Sequence, residues 1–227
     1  MPRSFVCFAS FVASTPAKLI CFDCDSTLSA IEGVDELARM RGPAIFARIQ
    51  SLTRDAMEGV LPLDQVFGLR LSLIRPNRAE IEAIAREYIA QIEPSAQATV
   101  TELRRAGWTI AIVSGGYTQA IRPLADLLGI TRVEAVSIKF GADGSFAGYD
   151  ENHQASRSGG KPAILRRLRQ ELAATRLVMV GDGASDLETR DVVDLFVGFG
   201  RYAERAAVKA GSHHFIRSLD ELPALVR

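Results

Sequence analysis

Short apolar runs that end in acidic, hydroxyl or glycine residues alternate along this chain with stretches of helical period, and that alternation leaves few folds open. Strands are predicted at 19–22, 108–113, 133–140, 177–180, 195–198 and 213–216. Helices are predicted between them at 118–128, 162–172 and 202–210, with Gly129 and Gly211 as stops. Alternating strand and helix implies an α/β protein: a Rossmann-like parallel sheet with helices on both faces. Asp143-Gly144 reads as a hairpin turn within 140–149. Pro123 inside its helical pattern predicts a kink or a late start.

The spacing of the first two strands adds a second element. A βαβ unit takes roughly 30 residues or a little more, so the stretch from Asp25 to Trp108 leaves on the order of 50 residues in excess. That excess reads as helix throughout, at 34–40, 43–57, 63–74 and 78–89. Ile45, Ile49, Leu52 and Ala56 fall at helical spacing, and Asn77 with Glu80 forms a capping-box pattern. The reading is a small helical cap at 31–90, inserted into an α/β core made of 1–30 and 91–227.

Charge narrows the function classes. Lys+Arg and Asp+Glu both number 27, so the formal net charge is zero. Neither nucleic acid nor an anionic membrane is an expected partner. The basic run Arg166-Arg167-Leu168-Arg169 reads as a solvated helix face. No apolar stretch reaches membrane-spanning length. Cys7, Cys21 and Cys24 form no regular disulfide framework. Cys21 and Cys24 spell C-x-x-C, but residues three apart on one strand point to opposite faces, so the pair is not read as redox-active. The apolar start at 4–12 reads as a packed helix or a mis-assigned start site rather than a leader, leaving a cytoplasmic location as the expectation.

Four polar clusters follow strands or open helices, and in an open parallel sheet such positions share one rim. The first is Asp23-Cys24-Asp25-Ser26-Thr27, where strand periodicity would send both acids out in one direction. Two acids that close need a cation or a shared proton between them. The second is Ser114-Gly115-Gly116, read as a turn presenting a hydroxyl and backbone N–H groups to an anion. The third places Lys161 at a helix start, after Ser158-Gly159-Gly160. The fourth is Gly181-Asp182-Gly183-Ala184-Ser185-Asp186. Each alone has a plain structural reading: a turn, a solvated lysine, a helix cap. Together they make a phosphate-and-metal site, with carboxylates suited to a hard cation such as Mg2+.

At these residues the chain resembles the haloacid dehalogenase-like phosphohydrolase superfamily. The D-x-D-S-T, S-G-G, S-G-G-K and G-D-G-x-S-D segments carry the resemblance. Three cap segments, 32–38, 53–57 and 70–74, narrow it to the phosphoserine phosphatase branch. The resemblance implies a small-molecule substrate, O-phospho-L-serine, and Mg2+ as cofactor, with monomer and homodimer both open. It implies Asp23 as nucleophile and Mg2+ ligand, and Asp25 as general acid and base that binds Mg2+ through its carbonyl. Asp182 would complete the metal site and Asp186 support it. Ser114, Gly115, Gly116, Lys161 and Ser185 would meet the phosphoryl group, Glu32 the substrate ammonium and Arg70 its carboxylate, with Met57 lining the pocket. Glu58, where the family often has glycine, would put a charge near the pocket mouth, and Leu63 replaces a frequent phenylalanine.

Arg70 stands out without the resemblance. On a helix at 63–74 it interrupts an apolar stripe of Leu63, Val66, Phe67, Leu71 and Ile74. A charge there needs a partner, either a cap acid or a substrate carboxylate. Two other functions stay open from the residues: a related phosphatase acting on another small phosphomonoester, and a non-catalytic module that binds a phosphorylated partner.

Overall fold

The computed structural model describes residues 17–227. Six parallel strands form the main sheet in the order β3-β2-β1-β6-β7-β8: β1 (Ala17–Phe22), β2 (Trp108–Tyr117), β3 (Arg132–Val136), β6 (Ala174–Gly181), β7 (Leu195–Phe199) and β8 (His214–Ile216). A separate antiparallel hairpin joins β4 (Ile138–Phe140) to β5 (Phe146–Tyr149). Helices α5 (Ala96–Arg105), α6 (Thr118–Leu127), α7 (Gly160–Glu171), α8 (Ala184–Leu187), α9 (Ala206–Gly211) and α10 (Leu222–Leu225) surround the sheet. This is a Rossmann-type α/β fold.

The centre of the sheet is apolar for a simple reason. Strand β1 is hydrogen-bonded on both edges, to β2 and β6, and Leu19, Ile20, Cys21 and Phe22 are all fully buried. A parallel strand covered on both faces has no solvent side, so its side chains need not alternate in polarity. The strand order also reverses about β1: the chain adds β2 and β3 on one side, then β6, β7 and β8 on the other. That switch point opens a crevice at the carboxyl ends of β1, β2 and β6.

Four helices lie between β1 and the crossover helix α5: α1 (Gly33–Arg39), α2 (Pro43–Met57), α3 (Leu63–Ile74) and α4 (Arg78–Ala90). The capping box at α4 forms, with the Asn77 side chain accepting from the Glu80 amide at 3.0 Å and the Glu80 carboxylate accepting from the Asn77 amide at 2.9 Å. Helix α4 packs along α6, so the insertion returns to the sheet's own helices rather than standing clear of them.

Six sequence expectations are corrected. Strand β1 ends at Phe22, so Asp23 and Asp25 are not brought together by strand alternation. Asp25 sits in a wide turn, Cys24–Leu28, closed by the Ser29 amide bonding the Cys24 carbonyl at 3.0 Å, with Ser26 in the left-handed region at φ 51°. Cys24 therefore leaves the strand too. Cys21 and Cys24 are buried free thiols, the first in β1 and the second at the start of the turn. Ser114-Gly115-Gly116 is not a turn but the irregular end of β2, whose pairing with β3 shifts register between Val113 and Tyr117. The stretch 133–140 is two strands in two sheets, divided at Ser137. Helix α9 starts at Ala206 rather than at Tyr202. Helix α6 begins at Thr118 with Pro123 inside it, which removes the late start. The apolar start at 4–12 and Cys7 lie outside the described residues.

Candidate active site

The crevice gathers the four clusters as the switch point requires. One pocket is lined by Asp23, Asp25, Glu32, Met57, Arg70, Ser114, Gly115, Gly116, Lys161 and Ser185, together with Leu63 and Tyr117. Asp182 and Asp186 lie behind it. Oxygens of Asp23, Asp182 and Asp186 all fall within 4.8 Å of one another, and all three residues are buried. An all-carboxylate oxygen set of this kind fits a hard divalent cation.

Each acid is held by identifiable partners. Asp23 follows β1, and its amide continues the sheet by bonding the Val180 carbonyl at 2.9 Å. Its Oδ1 accepts the Cys24 amide at 2.7 Å, and its Oδ2 lies 3.0 Å from Lys161 Nζ. Lys161, the second residue of α7, also donates to Asp186 Oδ1 at 2.6 Å. Asp186 Oδ2 accepts the Gly183 amide at 3.0 Å. Asp182 follows β6 and accepts from the Thr27 hydroxyl at 3.1 Å and from Arg205.

Electrostatics make the cluster dependent on cations. Burial raises the Asp182 pKa to about 7, with Arg205 opposing and Asp23 adding to the rise. Burial, then Asp23, raises Asp186 to about 8, with Lys161 opposing. Burial works against the charge on Lys161, but Asp186 and Asp23 beside it outweigh that and lift its pKa above the usual lysine value. Asp25 is pushed up to about 6, first by burial and then by Asp23.

The far side of the pocket carries the opposite polarity. Arg70 of α3 is buried at 7% exposure. Its Nη1 donates to the Thr53 hydroxyl at 3.3 Å and its Nε has no partner. Thr53 in turn donates to Asp35 at 2.7 Å. Among the described residues no carboxylate forms an ion pair with Arg70 within 4.0 Å. Glu32 precedes α1, accepts the Ser26 hydroxyl at 2.7 Å, and lies 3.7 Å from Arg205. Burial, then Asp25 and Asp182, raise its pKa well above the usual range. Glu58 is exposed at the end of α2 and does not line the pocket, so the charge anticipated at its mouth is absent from the lining.

The haloacid dehalogenase-like hydrolase family matches residues 17–189. The chain belongs to this family. Individual relatives extend the likeness over nearly all of it. Phosphoserine phosphatase of Mus musculus is 35% identical over 208 residues, covering 91% of this chain and 92% of the relative. A solved phospho-aspartyl intermediate analogue of phosphoserine phosphatase superposes with TM-score 0.84 at 29% identity, covering 94% of this chain and 100% of that one. A substrate-bound phosphoserine phosphatase complex gives TM-score 0.83 at 26% identity, with the same coverage. As a member of this family the chain is a hydrolase. Among the described residues no helix is long and apolar enough to cross a membrane.

Three site residues escaped the sequence reading. Thr53 had a signal, a polar residue four after Ile49 on the buried face of α2. Arg205 and Tyr88 had none: each reaches the site across more than twenty residues of chain, and no local pattern marks them.

Proposed function

We propose that this hydrolase is a Mg2+-dependent phosphoserine phosphatase, releasing L-serine and phosphate from O-phospho-L-serine, the last step of serine synthesis. The observation that carries the reading is Arg70: a buried cation with no carboxylate in an ion pair within 4.0 Å among the described residues, lining the same pocket as Asp23, Asp25 and Lys161, with Glu32 also in the wall. A substrate with a carboxylate would supply the counter-charge that Arg70 lacks, and its phosphate and ammonium would face Lys161 and Glu32. The named relatives support the same substrate.

In this reading Asp23 attacks phosphorus and forms an aspartyl-phosphate, dividing a very slow hydrolysis into two easier steps. The Cys24 amide and Lys161 hold the two oxygens of Asp23, so the carboxylate is oriented before substrate arrives. Lys161 offsets the repulsion between nucleophile and phosphoryl oxygens, and Ser114, Gly115 and Gly116 present polar groups to those oxygens. Mg2+, held by the carboxylates of Asp23 and Asp182 and the carbonyl of Asp25, would supply further positive charge against the phosphoryl group. Asp186 would support that site through its contacts with Lys161 and the Gly183 amide. Seryl alkoxide is a poor leaving group. Asp25, its pKa raised towards neutrality, protonates the departing oxygen and then takes a proton from the attacking water. Residues 31–90 serve as the cap that confers substrate choice, and 1–30 with 91–227 as the catalytic core.

Phosphate release is to be measured from O-phospho-L-serine, phosphoethanolamine, phosphocholine and sugar phosphates, with and without Mg2+. A strong preference for phosphoserine that needs Mg2+ is expected. Equal rates across the panel would defeat the substrate assignment.

A further inference from the structure

The two oxygens of Asp25 are treated differently by their surroundings. Oδ1 accepts two short hydrogen bonds, one from the Tyr88 hydroxyl at 2.6 Å and one from the Gly33 amide at 2.7 Å. Oδ2 has the Ser114 hydroxyl at 3.3 Å, and it lies against Gly116, where a β-carbon would come within 2.8 Å of it. Ser114 and Gly116 both line the pocket. A carboxyl oxygen that accepts two donors is a poor seat for a proton. The protonated form of Asp25 therefore carries its hydrogen on Oδ2, the oxygen next to the pocket residues.

Tyr88 comes from α4, in the helical insertion, and is fully buried. Its approach depends on Gly33, where a β-carbon would come within 2.3 Å of the phenol oxygen. At 2.6 Å from a carboxylate oxygen, the phenol hydroxyl is the donor of the pair. We infer that Tyr88 is a positioning residue for the leaving-group step: it locks Asp25 so that Oδ2 delivers the proton. This rests on the proposed role of Asp25 as general acid. In that step the Asp23–phosphorus bond forms and the phosphorus–seryl oxygen bond breaks. The proton on Asp25 Oδ2 moves to the seryl oxygen, leaving serine neutral at that atom and Asp25 ionised.

The test is Tyr88→Phe, which keeps the ring and removes the donor. Phosphorylation of Asp23 is followed by acid quench in a single turnover, with O-phospho-L-serine and with p-nitrophenyl phosphate, whose leaving group needs no proton. The phosphoserine rate is expected to fall about tenfold or more, within the range general acids contribute. The aryl phosphate rate should change by less than about twofold, with KM for phosphoserine little altered. Equal slowing of both substrates, or slowing of neither, overturns the inference. Wild-type enzyme inactive on phosphoserine would instead overturn the parent reading. Should Tyr88→Phe fail to fold, Tyr88→Met, which also removes the donor and leaves the Gly33 amide in place, is read by the same pair of rates.

Discussion

Replacing Arg70 by Met separates a substrate-binding cation from a structural one. The guanidinium is buried, its one recorded hydrogen bond is the 3.3 Å contact with Thr53, and its Nε is unsatisfied. Asp35 is linked to Arg70 through the Thr53 hydroxyl, which donates to it at 2.7 Å, but it makes no ion pair with the guanidinium within 4.0 Å. A buried cation held this loosely costs folding free energy, and an apolar side chain of similar length removes that cost. Stability of Arg70→Met is therefore expected to be unchanged or higher by about 1 kcal/mol. Function should move the other way. A desolvated charge pair with a substrate carboxylate is worth ~2–5 kcal/mol when one partner is removed. At about 1.4 kcal/mol per decade, kcat/KM for O-phospho-L-serine should drop by roughly one and a half to three and a half orders of magnitude. Phosphoethanolamine has no carboxylate, so its kcat/KM should change less than about threefold. The assay is steady-state phosphate release on both substrates, with urea unfolding alongside. Equal losses on both, or a stability loss of several kcal/mol, would refute the argument and return Arg70 to a structural role.

The acid cluster yields a pH prediction. In metal-free protein Asp182 and Asp186 hold protons up to about pH 7 and about pH 8. A cation favours their ionised forms, so Mg2+ affinity should rise from pH 6, by up to about tenfold per unit for each proton displaced, and level off above about pH 8. Calorimetry in two buffers of different ionisation enthalpy reads the proton release directly; a flat affinity would contradict it. Stability has the opposite sign. A carboxyl whose folded pKa is raised stabilises most below its unfolded pKa, and that contribution is lost as pH rises through the folded value. Metal-free protein should therefore melt at lower temperature at pH 8 than at pH 5, and Mg2+ should oppose the loss. Lys161→Met leaves Asp23 and Asp186 without their shared cation. It should abolish measurable turnover and cost ~3–5 kcal/mol in denaturant unfolding without metal, a loss that Mg2+ partly restores. Ile20→Ala, at a fully buried position of the central strand, should cost ~2–5 kcal/mol by the same measurement while leaving KM for phosphoserine within about twofold.

What the sequence revealed and what it hid follow from the range of the interactions. Helices α2 and α3 begin and end at the residues their period indicated, because Pro43, Leu63 and the apolar stripes are local signals. The site residues were legible because each follows a strand or opens a helix, and a parallel sheet brings those positions to one rim. The reason given for the Asp23–Asp25 pair was wrong, although both acids line the pocket. A turn with Ser26 in a left-handed conformation, not strand alternation, sets their geometry, and serine gives no sign of that backbone. The break at Ser137 was hidden because β3 and β4 are separated by one residue and both are apolar enough to read as a single run. Helix α9 starts late: Arg205 is its extended N-cap residue, and the guanidinium meets Asp182 at the end of another strand, a contact that no local pattern announces. Tyr88 gave no hint, since a tyrosine in an amphipathic helix reads as core until its hydroxyl is seen on Asp25.

The most direct measurement is the site of phosphorylation during turnover. Enzyme mixed with O-phospho-L-serine and Mg2+ is quenched in acid and digested, and its peptides are sequenced by mass spectrometry. A hydroxylamine-labile phosphate on Asp23, lost in Asp23→Asn together with serine release, is the expected result. Phosphoserine turnover that persists in Asp23→Asn, with no adduct on that peptide, would contradict the account.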